Sequence, residues 1–339
     1  MVQSVEDARR LHQDSVVIDQ TCPLMQWGEQ YLDWWIEGGV TAAAPTVGGS
    51  EPAGPTLRSL GYWLDRIEND DRLTHITSAQ DIVDAKTNGK FGIIFHFQGT
   101  EPIENDLNLI DAFKGLGVGI IQLAYNVKNR VGDGCEERTD CGLSNFGVEL
   151  IKRCNRAKVI VDCTHTGYQT TMDAMDVSTA PVVFSHSNPK AIKKSQRTIT
   201  DDQIKAAAAT GGLVGMVGFP AFVSDSSHPT LDEFVNHIDY VVELVGDDYI
   251  GLGIDYFGGQ AGVADLESAK AKYWEAVNSG RWQPDNYPPP PYHYPEGIDT
   301  PRTFYNLTEK LVERGYSETS IKKILGENWL RVYRAVWGK

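Results

Sequence analysis

Short runs of apolar, mostly β-branched residues recur eight times along the chain, at 16–19, 40–47, 92–98, 118–125, 159–165, 182–186, 213–219 and 250–255. Most are separated by stretches with helical spacing, among them 107–113, 147–156, 201–209 and 231–244. A strand that is apolar at nearly every position is buried on both faces, which is the signature of a parallel sheet covered by its connecting helices. Eight such units closing on themselves make a (β/α)₈ TIM barrel. An open doubly wound sheet shares the alternation, and the pattern alone leaves the two open. The run at 40–47 is the least strand-like, because Thr41-Ala42-Ala43-Ala44 could equally begin a helix.

No repeat, heptad or separable linker interrupts the alternation, so residues 1–339 are expected to form one barrel domain. The texture changes only at 269–302, with Trp274, Trp282, Tyr287, the prolines from Pro288 to Pro291, Tyr292 and Tyr294. Proline removes backbone donors, so this insertion is expected to be neither strand nor helix. It reads either as a lid, binding loop or subunit contact, or as a packed surface loop. Amphipathic stretches at 308–314, 318–325 and 329–337 then predict a helical tail.

The formal charge of −15 disfavours binding to nucleic acid or an anionic membrane, both of which need a basic face, and a small molecule is the expected partner. The first residues show no basic region followed by an apolar run, and no stretch is long and apolar enough to span a bilayer. Five cysteines, an odd number with no Cys-x-x-Cys pair, suit a reducing cytoplasm; pairing of Cys135 with Cys141 across a loop is the alternative.

A barrel gathers the ends of its strands around one pocket, so polar residues that end apolar runs carry the functional information. These are Asp19, His96, Gln98, His165, His186 and Asp255. A single strand-end histidine is usually a satisfied core or loop residue. Two on consecutive strands, with an aspartate two units later, are the donor types of a catalytic zinc. Cys22 and Cys163 read as small buried hydrophobes. His12, His75, His228, His237 and His293, on helices or loops without supporting partners, read as surface residues.

The order of Gly142-Leu143-Ser144-Asn145-Phe146-Gly147, Val161-Asp162-Cys163-Thr164-His165 and Pro181-Val182-Val183-Phe184-Ser185-His186-Ser187 resembles the membrane dipeptidase family of zinc hydrolases. The resemblance continues through Arg197 before Thr200-Asp201-Asp202, then Gly251-Leu252-Gly253-Ile254-Asp255 and Gly326-Glu327-Asn328-Trp329-Leu330-Arg331-Val332. It implies a (β/α)₈ barrel of amidohydrolase type and a homodimer. It also makes His165 and His186 metal ligands, Arg197 the receptor of a substrate carboxylate, and Asp255 the residue that moves a proton. The bland alternative for Asp255 is a buried carboxylate capping the next loop.

Departures from the family pattern are concentrated on one metal. Thr21 and Pro23 stand at the positions of the family's His-x-Asp pair, Gln98 at its bridging glutamate, and Tyr125 at its substrate-facing histidine. A neutral amide has no charge to share between two cations. The expectation is therefore one zinc, or none, held by His165 and His186 with Asp255 or the Gln98 oxygen nearby. The activity that follows is hydrolysis of a dipeptide or N-acyl amino acid with a free carboxylate. The alternative is a non-peptidase barrel that binds a small carboxylate ligand or runs a metal-free reaction on it.

Overall fold

The computed structural model describes residues 4–263 and 265–338. Eight parallel staves follow in chain order: β1 Ile18–Asp19, β2 Ala42–Ala43, β3 Phe91–Phe97, β4 Val118–Gln122, β5 Ile160–Asp162, β6 Val182–Val183, β7 Val214–Met216 and β8 Ile250–Leu252. Adjacent strands pair from β1 through β6, with a register shift between Phe95 and His96 where β3 meets β4, and β7 pairs with β8. A bridge between Phe184 and Val214 joins the two groups. The ring closes where Gln20 N donates to Leu252 O at 3.1 Å and Asp255 N donates to Thr21 O at 3.0 Å. The alternation thus resolves to a barrel rather than an open sheet.

Asp19 adds a side-chain staple to this closure. Its Oδ1 accepts from Ile254 N at 2.8 Å, and its Oδ2 accepts from Trp35 Nε1 at 2.9 Å. A polar residue at the end of the first run therefore holds the first and last staves together.

The run at 40–47 is not one strand. Pro45 has no amide hydrogen, and the run breaks around it into β2 and a second piece, Thr46–Gly48, which also pairs with β3. Between them and β3 lie the helix Ala53–Asn69 and an extra strand, Leu73–Ile76, which pairs along the first half of β3. Several outer helices begin at capping boxes, including Thr200 with Gln203 and Thr230 with Glu233.

The insertion at 269–302 corrects an expectation. Its first third is helical, as part of Leu266–Asn278, because 266–278 contains no proline and the Asp265 side chain caps Ser268 N. Only the proline-rich remainder is irregular. Two histidines expected at the surface are also buried. His12 bridges Thr308 Oγ1 and Gly38 O, and His237 Nε2 bonds Val223 O. All five cysteines are free, Cys135 and Cys141 included.

The tail is helical over Tyr305–Glu313, Glu318–Lys322 and Asn328–Trp337, with a π-helical turn at Lys323–Glu327. Its last helix plugs the barrel. Trp329, Tyr333 and Trp337 cluster with the interior residues Ile18, Ile94, Ile120, Ile160 and Val183. Trp337 Nε1 donates to Gly119 O at the start of β4, and Trp329 Nε1 donates to Leu252 O. At Gly119 and Gly251 an added Cβ would lie 2.5 Å from these indoles, so only glycine admits them. With the amino-terminal side filled, the carboxyl ends of the strands remain for chemistry.

Candidate active site

His165 and His186 follow β5 and β6, and their Nε2 atoms approach to 2.9 Å. Both rings are at least 96% buried, with exposures of 4% and 0%. Burial first, and then the nearby Arg197 charge, push both imidazoles well below the usual histidine range, so both are neutral.

The partners of the other ring nitrogens decide the tautomers. Asn126 Nδ2 donates to Arg281 O and to the Tyr287 hydroxyl, which turns its Oδ1 toward His165 Nδ1 at 2.6 Å. An amide oxygen only accepts, so His165 carries its proton on Nδ1. Ser185 Oγ donates to Asp162 Oδ2 at 2.5 Å, so in its 2.7 Å bond with His186 Nδ1 the imidazole is the donor. Thr21 Oγ1 lies 3.2 Å from the same nitrogen. Both Nε2 atoms therefore present lone pairs to each other. A shared cation relieves that opposition, and two neutral imidazoles with their outer nitrogens anchored are what zinc takes. The pair supplies two of the three protein ligands that a catalytic zinc takes. Among the described residues no group of three or more His, Cys, Asp or Glu side chains converges to hold a metal.

Asp162, the last residue of β5, anchors this arrangement. It accepts from Ser185 Oγ, Thr164 N and Ser185 N, and lies 3.2 Å from His96 Nε2. Burial alone would lift its carboxyl, but the hydrogen bond and charge of His96, with Ser185 and His186, hold it down at about 2. His96 faces the interior, as its place two residues before Gln98 implied, and its Nδ1 has no partner.

Four of the predicted site residues divide between two cavities, and His186 and Asp255 line neither. Arg197 and His165 line one of about 230 Å³, while Gln98 and Tyr125 line another of about 390 Å³. The Tyr125 and His165 rings stand between them, stacked with centroids 4.0 Å apart. Arg197 stands in the loop after β6 yet is 98% buried, with an exposure of 2%. Its Nε donates to Tyr287 Oη at 2.8 Å and its guanidinium lies over Phe222, and no carboxylate pairs with it among the described residues. Asp255 is partly buried and makes no side-chain hydrogen bond to a described residue. Desolvation pushes its carboxyl up to about 8, against the pull of Arg197. Neither Gln98 nor Asp255 hydrogen-bonds the histidine pair, and Gln98 Nε2 is buried without a partner.

His165, Asn126 and Asp255 all adopt left-handed backbone conformations, with φ of 66°, 61° and 63°. Non-glycine residues rarely sit there, and their concentration at one barrel mouth is the pattern of a working site.

Sequence reasoning did not assign roles to Asn126, Asp162, Ser185, Trp282 or Tyr287. For Asp162 a signal existed, a charge inside an apolar run. Nothing local marked Tyr287, whose hydroxyl meets a loop ninety positions earlier. The insertion packs onto the site through it and through Trp282, whose Nε1 donates to Tyr125 Oη at 3.1 Å.

The sequence profile of the family described as Membrane dipeptidase (Peptidase family M19) matches residues 62–275 and 292–337. An uncharacterized dipeptidase of Schizosaccharomyces pombe is 32% identical over 212 residues, which are 60% of this chain and 51% of that protein. The match thus spans about half the length of that relative. An amidohydrolase from Pseudomonas aeruginosa superposes with a TM-score of 0.87 at 34% identity, covering 98% of this chain and 99% of the other. A metallo peptidase from Rhodobacter sphaeroides, liganded with a phosphinate mimic of the dipeptide L-Ala-D-Ala, shares the fold with a TM-score of 0.78 at 20% identity, covering 95% and 100%.

Proposed function

Because the chain belongs to the membrane dipeptidase family, M19, we propose that it is a metal-dependent amide hydrolase acting on a dipeptide or N-acyl amino acid with a free carboxylate. The observation that carries this reading is a buried, unpaired Arg197 guanidinium beside two imidazole lone pairs that converge. A buried cation without a counter-ion is costly, and a substrate carboxylate meets its fork of donors.

In this reading His165 and His186 hold one zinc, with Gln98 Oε1 as the further protein oxygen within the mouth. Zinc bound there supplies Lewis acidity and an activated water. Arg197 binds the substrate carboxylate and orients the scissile amide toward the histidines. Asp255, with its carboxyl at about 8, holds a proton at neutral pH and releases it to the departing amine. Tyr125 fixes the His165 ring by stacking and closes the mouth with Trp282. A homodimer in the cytoplasm belongs to the same reading.

A second reading, a barrel that binds a small carboxylate ligand without cleaving peptides, is favoured by a separate observation. Thr21 occupies the first-strand position, and among the described residues no third His, Cys, Asp or Glu joins the histidines. Metal analysis of dialysed protein together with a dipeptide hydrolysis assay separates the two. About one zinc per chain with hydrolysis abolished by a chelator is expected. No metal and no hydrolysis would leave the second reading standing.

A further inference from the structure

Two residues that line the larger cavity each carry a buried polar atom without a partner, Gln98 Nε2 and Thr46 Oγ1. They belong to neighbouring strands. Thr46 pairs in register with His96, and Gln98 N donates to Gly48 O at 2.9 Å. Between them the backbones touch: a Cβ on Gly49, which has φ of 148°, would lie 2.5 Å from the Gln98 carbonyl carbon. The two side chains are thus displayed on a backbone pair with little freedom to shift. A buried donor left unpaired costs about 1–3 kcal/mol, so a ligand that pairs both gains by the same mechanism. Val47, Phe257, Ala276 and Trp282 supply apolar wall, and the charges that also line the cavity, Lys272 and Arg281 with Glu51 and Glu275, are of both signs.

The cavity's place gives the ligand an orientation, resting on the hydrolase reading above. With the substrate carboxylate on Arg197 in the smaller cavity and the scissile amide at His165, the acyl residue is directed around the closed Tyr125 stack toward the larger one. The geometry points to an acyl-side specificity subsite for a neutral carboxamide side chain, read by Gln98 and Thr46. The carboxamide oxygen accepts from Gln98 Nε2, and its amino group donates to Thr46 Oγ1. An acidic side chain finds no charge at either atom, and an aliphatic one leaves both unpaired. Gln98 uses its amide nitrogen for this, so its Oε1 is still available to a metal.

Asparaginyl-alanine, aspartyl-alanine and leucyl-alanine differ in this side chain at nearly constant size. We would measure their binding by titration calorimetry and, in competition, their relative kcat/KM. The parent is expected to prefer the asparaginyl dipeptide over both others by about tenfold or more. Thr46→Val should reduce that preference about threefold to tenfold without weakening the leucyl dipeptide, and Thr46→Ser, which keeps the hydroxyl, should retain it. Gln98→Leu should reduce the preference further, and because the readout is a ratio, any general loss of activity cancels. Equal use of asparaginyl and leucyl dipeptides overturns the subsite while leaving the hydrolase reading intact. An aspartyl dipeptide handled as well as the asparaginyl one overturns its neutrality. A parent that neither binds nor cleaves any of the three overturns the reading on which the subsite rests.

Discussion

Asp19 and Asp162 end β1 and β5, are both fully buried, and are driven in opposite directions. Asp162 is held at about 2, whereas Asp19 is pushed up to about 6. Burial raises both. Asp162 has His96 against it and a Ser185 hydroxyl, while Asp19 receives mainly the neutral Trp35 indole and the Ile254 amide. The partners, not the depth, decide the charge. The β3–β6 wall therefore keeps an anion behind the histidine pair, and the β1 wall, with Thr21 and Pro23 beyond Asp19, holds closure bonds instead. In the proposed reading this asymmetry is why one metal position is expected rather than two.

The largest expected effect breaks the anion. Asp162→Asn removes the charge opposite His96 and should cost about 3–5 kcal/mol in denaturant unfolding, against about 1–3 kcal/mol for Asp19→Asn. Equal costs would mean that the two aspartates play the same part.

Acid and base titration of stability sharpens the contrast. The depressed Asp162 carboxyl contributes stability that is present above the unfolded pKa near 4 and is lost as pH falls toward 2. The raised Asp19 carboxyl does the reverse: its contribution is present below about pH 4 and is lost as pH rises through 6. The windows are worth about 2 kcal/mol for Asp162 and about 3 kcal/mol for Asp19. Subtracting the unfolding free energy of each Asn variant from that of the parent, across pH, should give slopes of opposite sign. Slopes of the same sign would sink the comparison.

Arg197→Met should weaken binding of a carboxylate-bearing substrate by about 1.5–3 kcal/mol while the protein stays folded. Titration calorimetry reads the first and thermal unfolding the second. Unchanged binding would mean that the substrate class is wrong.

The smallest effect tests the missing metal position. Gln98→Glu adds an anionic oxygen to the mouth and should tighten a single zinc about tenfold, roughly 1.4 kcal/mol, without admitting a second ion. Adding Thr21→His and Pro23→Asp is the change expected to permit two. Metal mass spectrometry after dialysis counts them. Two tightly held ions in the unaltered protein would show that the β1 wall supplies ligands after all.

The strand ends were readable because burial on both faces and parallel pairing demand apolar runs, so a histidine or aspartate closing one stands out. His165, His186, Asp255 and Arg197 could be picked out in this way or by their motif neighbours. The (β/α)₈ barrel followed once the motif order was joined to the alternation. Pro45 carried a local signal too, the missing amide that splits the second run.

What the linear chain left undecided are contacts between distant segments. Asn126 reaches Tyr287 and Arg281 across more than 150 positions, and Trp282 reaches Tyr125 across 157. The direction in which each histidine presents its lone pair depends on such partners, as does the sign of each aspartate's shift. A residue's type and its place in a strand are local properties, legible from periodicity. Its protonation state is set by whichever groups the closed barrel brings within hydrogen-bonding reach, and those become neighbours only when the eight staves meet.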